Sequence, residues 1–287
     1  MRLRSNGSTP TVGVGAYSEG VNDDLNKVIW SGLAQSPGLG LRELVAQYAR
    51  WHFGADAEDA MVSALFGLEQ NWIGDIGLNE HVATTLYTLQ SVEKASTAAE
   101  LASNWRLQMY LYRGYFDAIV QAEYRQQQAN ENLALEALAT APSVGSAAAI
   151  AAATAALFQP GLVDGGGTSR TTSGSDPNIA QWRARLYQVR DMINASIGTE
   201  VLQGQDTSLN LDGIYHSLSD AVFLNASFAN ISSLSSEREK LNRISALLGW
   251  TDPGPVEIRR EPPPAENVLG DSAWCGAVQQ PAALCLC

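Results

Sequence analysis

Residues 97–138 read TAAELASNWRLQMYLYRGYFDAIVQAEYRQQQANENLALEAL, and this stretch determines the fold class. Thr97 and Glu100 open it at the spacing of a capping box, in which each side chain bonds the backbone amide of the other residue. Gly114 is the one weak point in the pattern that follows. If the pattern is unbroken, the helix exceeds forty residues and must lie against a partner along much of its length. Its apolar stripe is Leu101, Trp105, Met109, Tyr112, Phe116 and Val120.

Shorter segments on both sides show the same helical periodicity. Before the long helix, Gly54 ends one apolar pattern and Asp56 is the expected N-cap of the next. After it, Ser236 and Glu239 have the spacing of a second capping box. The sequence therefore predicts an all-α fold, an irregular multi-helix bundle with one long helix and a disordered C-terminal tail.

Composition divides the chain into five parts. An irregular N-terminal segment covers 1–16, and a helical domain covers 17–160. A linker rich in Gly, Ser and Thr follows at 161–176 and is the best internal boundary. We expect 177–250 to be a second helical segment that packs on the first. Triple proline and small residues indicate that the tail at 251–287 is disordered.

The charge balance excludes several classes of partner. The formal net charge is −12, which opposes binding to nucleic acid phosphates or to an anionic membrane surface. No stretch reaches the length of an apolar membrane span, and the first residues do not resemble a secretion signal. The three histidines are widely separated and the three cysteines lie at the C-terminus, so we expect neither a metal site nor a cofactor.

The densest polar cluster lies between Tyr17 and Trp30. Carboxylates beside aromatic rings suit carbohydrate chemistry, in which one carboxylic acid protonates the leaving oxygen and another attacks or activates water. The alternative is a solvated helix start, where acidic residues are favoured by the helix dipole. The candidate catalytic residues are Glu19, Asp23 and Asp24, and the candidate substrate-binding residues are Tyr17, Asn22, Asn26, Lys27 and Trp30.

Aromatic and basic residues elsewhere have a simpler interpretation. Their helical spacing predicts that the tryptophans at 51, 72, 105 and 182 belong to the core and are not sugar platforms. Arg106, Arg113 and Arg125 are scattered in the way that is typical of an ordinary helix surface.

Four stretches resemble a group of large glycoside-hydrolase-like proteins. The first is YSEGVNDDLNKVIWS at 17–31, which matches the pattern YSEG-x-NDD-x-NK-x-x-W. The others are the helix at 44–54 that ends in Phe-Gly, LEQNW at 68–72 and LYRGYFDA at 111–118. The resemblance covers about 15–140, extends loosely over 177–255 and returns weakly in the Asp-Pro-Gly-Pro sequence that ends at Pro255.

The resemblance implies that the chain is the C-terminal helical region of such a protein, without most of the upstream barrel. It also implies that Glu19, Asp23 and Asp24 contribute to a pocket rim. We expect no catalysis by this region alone, and carbohydrate, the barrel or a protein as partner. The alternative is a freestanding, non-catalytic helical interaction module.

Overall fold

The computed structural model describes residues 24–158, 177–198 and 220–249. These residues form α-helices and one 3-10 helix and contain no strand, which confirms the all-α prediction. The expected segments 1–16, 161–176 and 251–287 lie outside the described residues. The helices are α1 (Asp24–Gln35), α2 (Leu41–Phe53), α3 (Glu58–Gln70), a 3-10 helix (Ile76–Leu78), α4 (His81–Ala95), α5 (Ala98–Ser103), α6 (Trp105–Ala139), α7 (Ala141–Val144), α8 (Ser146–Leu157), α9 (Pro177–Ile197), α10 (Ala221–Ser232) and α11 (Glu237–Leu248).

The predicted long helix exists but is interrupted near its start. The capping box of Thr97 and Glu100 is present and begins α5, and Asn104 then leaves the helical conformation with φ −89° and ψ 84°. The Asn104 side chain accepts a hydrogen bond from the Leu107 amide and so caps α6, which is 35 residues long. The predicted long helix is therefore confirmed over Trp105–Ala139, and the capping asparagine separates the residues before it as α5.

Two other capping predictions were wrong. The helix after Gly54 begins at α3 with Ala57 at the N-cap, and Asp56 is not its cap. Ser236 does precede α11, but its side chain makes no capping bond. Glu237, the next residue, instead accepts hydrogen bonds from the amide and hydroxyl of Ser146 at 2.7 and 2.6 Å. The Glu237 carboxylate therefore binds the first residue of α8, which is far away in sequence.

The buried apolar side chains form two cores that α6 joins. The N-terminal half of α6 packs in the first core with α1 to α4 and α9. Its C-terminal half packs in the second core with α7, α8, α10 and α11. Tyr112, Leu111 and Ile119 are fully buried in the first core, as are Leu138 and Phe228 in the second. A helix this long is stable because it is covered along both halves.

Gly114 does not interrupt α6, and it permits close packing. A Cβ atom at this position would lie 2.5 Å from Cδ1 of Leu89 on α4. Leu89 is fully buried in the first core, so it has little room to move aside. The missing side chain therefore sets how closely α4 approaches α6.

Candidate functional site

Polar residues follow one face of α6 through the first core. Arg106, Tyr110, Arg113, Asp117 and Gln121 are separated by three or four positions, so they lie along one side of the helix over about 22 Å. We call this row the polar stripe. Its members bind successive parts of the preceding chain.

The first group on the polar stripe holds the start of α1. Arg106 donates from Nε to Oδ2 of Asp24 at 2.6 Å and from Nη2 to Oδ1 at 2.9 Å, which makes a two-pronged ion pair. Tyr48 on α2 donates its hydroxyl to Oδ2 of Asp24 at 2.8 Å. The hydroxyls of Tyr48 and Tyr110 are 3.0 Å apart. We call Asp24, Tyr48, Arg106 and Tyr110 the Asp24 cluster.

The electrostatics of the Asp24 cluster favour the ionised carboxylate. Burial opposes ionisation, but hydrogen bonds from Arg106 and Tyr48 and the charge of Arg106 outweigh it, so the pKa of Asp24 is lowered. The pKa of Tyr48 is raised, chiefly by burial and next by the neighbouring Tyr110 hydroxyl. His52 lies edge-on to the Tyr48 ring, with the ring centroids 4.6 Å apart. Burial and the charge of Arg106 lower the pKa of His52. The cluster is therefore a fixed, ionised anchor at neutral pH.

The second group surrounds a buried carboxylate farther along the polar stripe. Asp117 accepts hydrogen bonds from Nδ2 of Asn71 at 2.8 Å, Nε1 of Trp72 at 2.8 Å and Nε of Arg113 at 2.7 Å. The Arg113 guanidinium also lies over the Trp72 ring, 5.5 Å from its centroid. We call Asp117, Asn71, Trp72 and Arg113 the Asp117 cluster. It fixes the chain that leaves α3 onto α6.

The Asp117 cluster is shielded from solvent. Asp117 and Asn71 are fully buried, and Oδ1 of Asn71 has no hydrogen-bond partner among the described residues. Burial raises the pKa of Asp117, although the Arg113 charge and the three hydrogen bonds oppose this effect. Burial also raises the pKa of Glu69, on α3, to about 7, and the charge of Arg113 counteracts it only in part. Glu69 is therefore partly protonated near neutral pH.

The structure places only part of the predicted acidic site. Tyr17, Glu19, Asn22 and Asp23 lie outside the described residues. Asp24 is bound to Arg106 and Tyr48, and Asn26 is buried on the next part of α1. Lys27 and Trp30 are exposed on the same helix. Among the described residues of the predicted site, Asp24 belongs to an extended polar cluster.

Two sequence interpretations need correction. Arg113 was expected on the surface but is 5% exposed, because it neutralises a buried carboxylate. Arg106 is likewise partly buried and paired. Trp51 was expected in the core but is 84% exposed, whereas the tryptophans at 72, 105 and 182 pack against the first core.

The residues that complete the two clusters were not identified from the sequence. Tyr48, Tyr110 and Asn71 carry no chemistry that marks them out in isolation. The available signal was the spacing of Arg106, Arg113 and Asp117, which puts charges on one face of a helix that is otherwise apolar. Charges on the buried face of an apolar helix indicate paired groups.

Searches for a metal site, a membrane span and known relatives do not narrow the class of function. Within the described ranges, no group of three or more His, Cys, Asp or Glu side chains is placed to hold a metal ion. No described helix is both long enough and apolar enough to cross a bilayer. No protein-family model, no curated protein and no solved structure matches this chain.

Proposed function

We propose that the chain is the helical, non-catalytic region of a glycoside-hydrolase-like protein. Its role is to bind carbohydrate and to hold the acidic segment that ends at Asp24 against a rigid helical body. The proposal is supported by one observation, the meeting of the family-like stretches on the polar stripe of α6. The sequence resemblance and the contacts are independent, since the resemblance rests on residue patterns alone.

The contacts along the polar stripe follow chain order. Arg106 binds Asp24 from the YSEG stretch, and Tyr110 contacts Tyr48 from the stretch at 44–54. Asp117 binds Asn71 and Trp72 from LEQNW. Two members of LYRGYFDA, Arg113 and Asp117, bind each other. Residues of the family-like stretches thus share a structural role, which is to attach the N-terminal helices to α6.

The state of three described carboxylates, those of Asp24, Glu69 and Asp117, supports a non-catalytic role. Retaining and inverting glycosidases need two carboxyl groups about 5 to 9.5 Å apart, both facing the sugar. Asp24 is occupied by Arg106 and Tyr48, and Asp117 is fully buried and occupied by three donors. Glu69 has the raised pKa of a general acid, but Asp117, which shares the charge of Arg113 with it, has no access to a substrate.

The direct test uses a panel of aryl glycosides and affinity electrophoresis through neutral and acidic polysaccharides. We expect no release of the aryl group above the buffer rate, and retarded migration in at least one polysaccharide gel. Turnover that survives further purification contradicts the non-catalytic role. Free migration in every gel contradicts the carbohydrate assignment.

The second candidate is a freestanding helical module that binds a protein partner. It is favoured by the exposure of Trp51, at 84%, and of Trp30, on the adjacent helices α2 and α1. Large exposed aromatic residues are enriched at protein interfaces. Light scattering and thermal melting separate the two candidates, because a cooperative melt of a monodisperse chain favours the module. Aggregation favours a region that needs the remainder of a larger protein.

A further inference from the structure

A groove of about 410 Å³ lies between α4, α6 and α9, away from both polar clusters. Its volume is in the range of small-molecule sites, which is about 300 to 1,000 Å³. Helix α9 forms one wall, and ion pairs of Arg183 with Glu123 and of Arg185 with Glu93 attach it to α6 and α4. These ion pairs fix the position of α9 relative to the two helices that form the other walls of the groove.

The groove contains a basic residue and no acidic one. Arg125 is the only charged residue among those that line it in the described part of the chain, although the whole chain has a net charge of −12. Arg125 donates from Nε to the Gly77 carbonyl at 2.6 Å, which fixes the position of its guanidinium group. It forms no ion pair with the described residues, so its two terminal nitrogens remain as donors for a carboxylate.

Three glutamine side chains supply acceptors. Nε2 of Gln121 donates to the carbonyls of Ile76 and Asn79 at 2.6 and 2.7 Å. The Nε2 atoms of Gln126 and Gln90 donate to Asn130 and Tyr115. Both hydrogens of the Gln121 amide and one hydrogen of each other amide are therefore engaged, and the three Oε1 atoms are left to accept from hydroxyl groups within the described structure.

Two aromatic side chains complete the lining. Tyr87 on α4 is 72% exposed, and Trp182 on α9 is partly buried against the first core. Exposed rings of this kind offer an apolar face with a polar tip. Such a ring packs against the carbon–hydrogen face of a pyranose while the amide oxygens accept its hydroxyl hydrogens.

We propose that this groove binds a sugar unit that carries a carboxylate, that is, a uronic acid. The assignment rests on the carbohydrate role proposed above and names the class of sugar. Arg125 binds the carboxylate, the glutamine oxygens accept from the ring hydroxyls, and Tyr87 and Trp182 contact the ring face. Uncharged sugars lose the contact with Arg125, and a carboxylate meets no repulsion from the lining residues.

The test compares methyl β-D-glucuronoside with methyl β-D-glucoside, which differ only at the carboxylate. Calorimetric titration and ligand-observed NMR are run on the full chain, up to about 10 mM ligand. We expect the glucuronoside to bind about fivefold more tightly, a modest factor because Arg125 is exposed to solvent. In Arg125→Met this preference disappears, whereas in Arg238→Met, an exposed arginine on α11, it remains. Trp182→Ala weakens the binding of both sugars.

The possible results separate the two proposals. Equal binding of both sugars, or a preference that survives Arg125→Met, overturns the uronic acid site. Absence of binding for both sugars overturns it as well, and circular dichroism checks that each variant is folded. The carbohydrate role is judged by the polysaccharide gels, so retention there with no effect of Arg125→Met contradicts only the groove.

Discussion

At the scale of single residues, the described acids act mainly as structural anchors. Asp24 and Asp117 each lie beside an arginine from the polar stripe, and each accepts further hydrogen bonds from neutral donors. Burial is unfavourable for such charges unless every one is paired. Removing one partner should therefore be more harmful than removing both.

Arg106→Met tests, at the Asp24 cluster, whether the loss of one charged partner is more harmful than the loss of both. We expect a loss of about 1–3 kcal/mol in the free energy of unfolding, because a partly buried carboxylate loses its counter-charge. The double variant Asp24→Asn with Arg106→Met should recover part of the loss, and urea denaturation of the four proteins measures the coupling. Additive effects of the two changes contradict a direct interaction.

The lowered pKa of Asp24 also predicts an effect of acid. The unfolded chain takes up the proton first as the pH falls, so the stability from this group is present above the unfolded pKa and is lost as the pH falls through the lower pKa of the folded state. Asp24→Asn should therefore be less stable than the native chain at neutral pH, and the difference should shrink in acid. Urea denaturation of both proteins over a series of acidic buffers measures it. A difference that acid leaves unchanged excludes the ionised carboxylate as its source.

Glu69 predicts the opposite pH dependence. Its pKa is raised from 4.5 to about 7, so the folded chain retains the proton that the unfolded chain has lost between those values. Stability from this group is therefore highest below about pH 4.5 and falls as the pH rises to about 7. Urea midpoints of Glu69→Gln should lack this decline, and the exposed control Glu136→Gln should retain it. A decline that persists in Glu69→Gln shows that another group produces it.

At the scale of elements, helix positions were predictable and their ends were less so. The apolar stripe that ends at Val120 correctly indicated α6, because an apolar stripe at this spacing is typical of a helix that packs on one side. The sequence did not reveal the break at Asn104, because asparagine occurs both inside helices and at their N-caps. The ion pair of Asp24 with Arg106 could not be predicted, since no local sequence pattern relates two residues that are 82 positions apart.

The contact of Gly114 with Leu89 provides a test of α4 against α6. Leu89→Ala should reduce stability by about 2–5 kcal/mol, the usual loss for a buried leucine. In that variant a further Gly114→Ala change should restore about 1 kcal/mol, because the clash is gone and alanine favours the helix. In the native background the same change should not stabilise, since the new Cβ atom overlaps Leu89. Thermal melts of the four proteins decide, and equal effects of Gly114→Ala in both backgrounds contradict the contact.

At the scale of the whole molecule, α6 is the helix that the two cores share. All described tryptophans belong to the region of the first core or its surface, whereas Phe228 is buried in the second. If the cores unfold together, damage to one is felt by the other through their shared helix. The all-α class was predictable from composition and periodicity, but this division within a single helix was not.

Phe228→Ala tests the coupling of the cores. In a background of Trp250→Phe and Trp274→Phe, fluorescence reports only on tryptophans in the described region of the first core. We expect a loss of about 3–5 kcal/mol that shifts the fluorescence transition and the circular dichroism transition together. A fluorescence midpoint that does not move shows that the cores unfold separately.

The attachment of Asp24 to Arg106 spans 82 positions of the chain. On the ribosome, α1 leaves the exit tunnel long before its binding residue has been translated, so its carboxylate stays in water until then. Closing so wide a loop also carries an entropy that grows with its length. We therefore expect α1 to join the body as a late folding event, after α4 and α6 have already met.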